Sequence, residues 1–148
     1  MNALLEPQII EALYKASQAG VKVDLIVRGV CALRPGVPRL SENIRVRSIV
    51  GRFLEHSRIF HFRNQGKPRV YLSSADWMDR NFFRRIEVCT PVLDPKLCRR
   101  VMNEGLKPYL EDNTQAWDMQ PDGSYKRAKA PRGKAKTAQL TLLKELAK

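Results

Sequence analysis

Between Glu55 and Glu87 the chain gathers side chains that can do chemistry on phosphate. His56-Ser57-Arg58 places an imidazole two residues before a guanidinium. In an extended segment both lie on one face, because strand side chains repeat every second residue. The imidazole can move a proton or contact phosphorus, and the guanidinium can neutralise a phosphate. Further on, Val70-Tyr71-Leu72-Ser73-Ser74-Ala75-Asp76-Trp77 offers hydroxyls and backbone N–H groups at a strand end, with a carboxylate at Asp76. Arg85-Ile86-Glu87 adds a later carboxylate able to fix a histidine tautomer. This is the residue set of a phosphoryl or phosphodiester site.

Elements must position these groups. Ile9, Ile10, Leu13 and Tyr14 have the spacing of an amphipathic helix over Pro7 to Gln18, stopped by Gly20. Val21 to Val27 reads as a buried strand, so Arg28-Gly29 falls at its C-terminal end, where open α/β sheets place ligands. Pro35, Gly36 and Pro38 make the stretch from Val30 to Asn43 a loop. Ile44 to Arg47 reads as a short strand, and Ser48 as the cap of a short helix reaching Glu55, with His56 at the helix-to-strand junction. Ser57 to Phe62 and Arg69 to Ser74 form a hairpin, Ile86 to Val92 a further strand, and Asp94 to Leu110 a helix. Ala138 to Ala147 is a short amphipathic helix. The Phe82-Phe83 pair is expected in the core. The fold class is α/β, a sandwich with a mixed β-sheet flanked by helices.

Composition bounds the partners. A length of 148 residues suits one domain with a real core, and 43% hydrophobic with 28% charged residues reads as soluble and globular. No run of eighteen apolar residues and no basic-then-apolar start is present, so the expected place is the cytoplasm, with a peripheral position at the membrane left open. Cys31, Cys89 and Cys98 have no metal-type spacing and read as ordinary thiols. A net charge of +12 attracts polyanions of any kind, so charge alone does not separate nucleic acid, polyphosphate, nucleotide and anionic lipid. The basic run Tyr125 to Lys136 reads as a flexible tail segment. The expected division is therefore residues 1–124 as a catalytic half-domain and residues 125–148 as a basic tail with a short C-terminal helix.

The order His-x-basic, a strand ending in Ser-Ser, then Arg-x-x-Glu is similar to the half-site of the phospholipase D superfamily, with Arg58 where that pattern has lysine. More closely, Leu25 to Gly29, Leu33 to Gly36, Ser41 to Ile44, Val50 to Arg58, Leu72 to Met78 and Arg85 to Val88 resemble, in collinear order, the second phospholipase D-like C-terminal catalytic domain of bacterial type 1 polyphosphate kinases. The resemblance implies a phospholipase D-like sandwich and part of an ATP:polyphosphate phosphotransferase acting through a phosphohistidine in a domain absent from this chain. It implies that His56 contacts ATP and assists proton transfer, that Arg28 binds the nucleotide phosphates, that Glu87 orients His56, and that Arg58 and Ser74 line the phosphate path. It implies Mg²⁺ with ligands outside this chain, ATP or ADP and inorganic polyphosphate as partners, the enzyme's other domains alongside, and a homo-oligomer at full length. Nucleic acid is not the expected partner, and this portion alone is expected to be inactive.

Two other classes fit the residues. A half-site paired with its own copy makes a homodimeric phosphodiesterase or nuclease, although arginine in place of lysine weakens that reading because a planar fork does not substitute for an ammonium. A basic, non-catalytic polyanion-binding domain needs no histidine at all.

Overall fold

The computed structural model describes residues 1–147. The helix α1 (Pro7–Gln18) forms on the apolar stripe, capped by the Glu6 side chain, which accepts from the Ile9 amide at 2.7 Å. Pro7 occupies the first turn, where its missing N–H costs nothing, and Gly20 follows the end at φ 83°. The strand β1 (Val23–Ile26) then pairs parallel with β2 (Ile44–Ile49). Antiparallel pairing adds β6 (Ala116–Met119) and β7 (Tyr125–Arg127), giving a mixed sheet in the order β1-β2-β6-β7.

A second sheet is antiparallel, β3 (Ile59–Phe62), β4 (Arg69–Ser73) and β5 (Cys89–Pro91) in that order. The α/β sandwich and the mixed sheet are as expected, but the strands divide between two sheets. Leu4 stitches the two regions, bridging both Cys31 and Trp77. The core is built from Leu4, Leu25, Val27, Leu33, Ile44 and Val46, with Leu13 and Trp77 packed against it. Phe60 of β3 stacks on Trp77 with ring centroids 5.0 Å apart.

Four expected elements come out differently. No helix runs from Ser48 to Glu55; the alternation of Ile44, Val46 and Ser48, all buried, continues the strand to Ile49, and Gly51 then breaks it. The strand expected from Ile86 is only β5, because Ile86 and Val88 face solvent. The long helix after Asp94 is interrupted: α3 (Pro95–Arg100) passes through a wide turn at Val101–Leu106 into α4 (Lys107–Glu111). Pro108 lacks the amide that would continue the ladder. Phe82 and Phe83, expected inside, are 43% and 62% exposed. Between β4 and β5 lies α2 (Asp79–Phe83).

Tyr125 to Lys136, read as a flexible tail, is tied to the body instead. Tyr125 to Arg127 is β7, the Ala128 amide reaches the Ala116 carbonyl at 2.9 Å, and Asn113 and Lys136 exchange backbone and side-chain hydrogen bonds. The expected C-terminal helix is present as α5 (Ala138–Leu146), with Ala138, Gln139 and Leu142 buried. Lys148, last in that segment, lies outside the described residues. Among the described residues no helix is long and apolar enough to cross a membrane.

What ties α5 down is one buried carboxylate. Asp112, 2% exposed, accepts from the Thr114, Gln115 and Ala116 amides through Oδ1 and from the Ala138 amide at 2.7 Å through Oδ2. Asp112→Ala leaves these donors without partners and is expected to cost about 1–3 kcal/mol. Urea unfolding measures it, and a loss under about 1 kcal/mol would contradict the assignment.

Candidate functional site

His56 sits exposed in the loop after β2, just ahead of β3. That loop is held by α5: the Gln139 side chain accepts from the Phe53 amide at 3.0 Å and donates to the Phe53 carbonyl and the Glu55 carboxylate. Tyr109 donates its hydroxyl to Glu55 at 3.0 Å, and burial together with the adjacent Glu55 charge pushes that phenol far above its ordinary range. A Cβ on Gly51 would run into the amide ends of the Gln139 and Gln115 side chains, so a larger residue there would displace Gln139 from the loop it holds.

Arg58 follows, and its guanidinium is mostly buried against Asp76, with side-chain exposures of 11% and 4%. Nε and Nη2 donate to the two Asp76 oxygens at 3.1 and 2.8 Å, while Nη1 donates to the His56 carbonyl at 3.0 Å. The same guanidinium lies 2.9 Å from His56 Nδ1 and 3.2 Å from Nε2. A neutral imidazole has one ring lone pair, so one of these two contacts is a hydrogen bond. Burial pushes the Asp76 carboxyl up, but the Arg58 hydrogen bonds, the Asn2 amide at 2.7 Å and the Arg58 charge hold it below its ordinary range overall.

Asn2 carries the network onward. Its side-chain oxygen accepts from Arg28 Nε at 3.0 Å and also from Nη2. Ser48, expected as a helix cap, donates its hydroxyl to the Arg28 carbonyl at 2.7 Å. Arg28 and His56, on different elements, are thus joined through Asn2, Asp76 and Arg58. Sequence spacing pointed to the two ends and to Asp76 as a carboxylate in the region, but gave no sign that Asn2 closes the chain.

Glu87 is placed beside Ser74, not in contact with His56. Its carboxylate accepts from the Ser74 hydroxyl and from Asn81 Nδ2 at 2.5 Å. These two hydrogen bonds, with the Arg85 and Arg58 charges behind them, hold the Glu87 carboxyl below its ordinary range. The Val88 amide donates to Ser74 Oγ at 3.0 Å. The orienting contact on the His56 ring comes from Arg58, and the buried Asn81 is a member that sequence reasoning missed. Among the described residues no three of His, Cys, Asp and Glu converge.

The α/β domain thus presents an exposed imidazole, an arginine just past a strand end and a buried ion pair joined in one network. The comparisons identify its family. The model of polyphosphate kinase C-terminal domain 2 matches residues 1–139, and the chain belongs to that family. It is 68% identical over 144 residues to the polyphosphate kinase of Burkholderia multivorans, covering 97% of this chain and 21% of that protein. With the Paraburkholderia phytofirmans polyphosphate kinase it shares 64% over 143 residues, again 97% and 21%. The crystal structure of Porphyromonas gingivalis polyphosphate kinase superposes with a TM-score of 0.94 at 44% identity, over 99% of this chain and 22% of that one. The chain therefore spans about a fifth of the length of these relatives.

Breaking a buried pair strands the remaining charge, so Asp76→Ala is expected to cost about 3–5 kcal/mol. With the folded-state value depressed, the Asp76 contribution is present above the ordinary aspartate value of about 4 and is lost as pH falls through the lower folded value. Acid unfolding of the parent should show that component and Asp76→Asn should lack it; parallel pH profiles would contradict the role of Asp76.

Proposed function

We propose that this chain supplies half of the active site of a longer ATP:polyphosphate phosphotransferase, which reversibly moves the terminal phosphate of ATP onto inorganic polyphosphate through a phosphohistidine carried by another domain. The observation that carries the reading is the continuous polar connection between Arg28 and His56, set in a chain of the polyphosphate kinase family.

In this reading the Arg28 guanidinium takes nucleotide phosphate oxygens in pairs. His56 contacts the transferring phosphate and moves a proton at the leaving or accepting oxygen. As phosphoryl transfer spreads charge over equatorial oxygens, catalysis is mostly positioning and neutralisation. Arg58, locked to Asp76, acts by fixing the His56 ring beside the phosphate path. Ser74 is the small hydroxyl of that path, and Glu87 holds Ser74 in place. Mg²⁺ accompanies ATP and takes its protein ligands from outside this chain. The complete enzyme works in the cytoplasm as a homo-oligomer, with its other domains facing this one. A phosphodiesterase would need the cation beside its histidine free for the diester, and here that cation is bound to a buried aspartate.

The test follows the His56 ring by NMR while ATP, and separately duplex DNA at two salt concentrations, is added to the 148-residue chain. ATP should shift the ring signals saturably, and Arg28→Ala should weaken that response about tenfold, the loss of a charged hydrogen-bond pair. Ring signals untouched by ATP, or moved as strongly by DNA, would overturn the reading.

A further inference from the structure

A groove of about 800 Å³ opens between the β3–β4 turn, β5 and α3, and it contains none of the residues assigned to the His56 site. Its wall is apolar, with Val70, Val92, Leu93 and Met102 contributing. Val70 is 2% exposed while Leu93 is 84% exposed, so the groove runs from the sheet interior out to a bare apolar lip. Around it stand Lys67, Arg69 and Arg99, and not one lining residue is Asp or Glu. The carboxylate nearest in sequence, Asp94, is occupied in capping α3, accepting from the Lys96 and Leu97 amides.

Like many surface lysines and arginines these three cations are unpaired, but they stand together around one groove with no carboxylate in its lining. Arg47 is spent on Asp118 and three backbone carbonyls, Arg58 on Asp76, and Arg100 on Glu104. Among the described residues, the side chains of Lys67, Arg69 and Arg99 make no ion pair and no hydrogen bond. Three free cations without a carboxylate attract a multiply charged anion. The apolar wall then selects the kind of anion. An inorganic phosphate chain would leave that wall exposed to water, whereas a ligand with an apolar or aromatic body gains by burying it. The volume falls in the range of small-molecule pockets.

We propose that this groove is a second ligand site, separate from the His56 site, for a nucleoside polyphosphate. The base lies against the Val92–Leu93–Met102 wall and the phosphates meet Lys67, Arg69 and Arg99. The assignment stands on the groove alone and does not require the phosphotransferase reading.

The experiment uses the full 148-residue chain carrying Arg28→Ala and His56→Ala, so that the other site is disabled, and follows the methyl signals of Val92 and Leu93 by NMR. ATP should shift them saturably. Adding Lys67→Ala, Arg69→Ala and Arg99→Ala should weaken that response at least tenfold, and tripolyphosphate should bind at least tenfold more weakly than ATP. The three substitutions are at exposed positions, and an unchanged amide spectrum elsewhere shows that the fold is kept. Methyl signals unmoved by ATP, an unchanged affinity in the triple variant, or tripolyphosphate binding as tightly as ATP would each overturn the proposal.

Discussion

A guanidinium and a carboxylate buried together hold the two sheets and the candidate site in one piece. Taking Arg58 and Asp76 out of water costs several kcal/mol per ion, and that cost is offset only if their remaining donors and acceptors are used. They are used: Asp76 accepts from Arg58 and from the Asn2 and Ala3 amides, and Arg58 turns its last nitrogen to the His56 carbonyl. Because Asn2 and Ala3 run beside the end of β1 while Arg58 leads into β3, the pair fixes one sheet against the other. The same geometry carries Arg28 at one end and His56 at the other. Stability and site therefore share their atoms.

The second constraint comes from the C-terminal end of the chain. Asp112 fastens the start of α5, and α5 presents Gln139 to the loop that bears His56. The basic stretch, which would serve any polyanion by charge alone, leads into the helix whose Gln139 holds Phe53, 86 residues earlier, in the loop that bears His56. Lysines and arginines of that stretch stay exposed, so the electrostatic role of the surface is kept alongside the mechanical one.

Period and punctuation made α1, β1 and the β3–β4 hairpin legible, each announced by apolar spacing and bounded by Gly or Pro, and leucine spacing alone announced α5. His56, Arg28, Ser74 and Glu87 were legible as chemical types. Illegible were the features decided by tertiary contact. Ser48 looks like a helix cap locally, yet burial of Ile44 and Val46 on one face carries the strand past it. Ile86 has the propensity of a strand residue but nothing covers it within these residues, and it stays fully exposed. Glu87 was expected on His56, but Ser74 and Asn81 reach its oxygens first. Asn2 carries no motif, and only the fold brings it between Arg28 and Asp76.

The most direct test transplants the chain. In the Burkholderia multivorans polyphosphate kinase, the matching 144 residues are replaced by this sequence, and polyphosphate formation from ATP is measured with and without His56→Ala and Arg28→Ala. The account predicts an active chimera whose rate falls at least a hundredfold, about 2.7 kcal/mol of barrier, with either substitution. An active chimera indifferent to both would contradict it and leave this domain a scaffold.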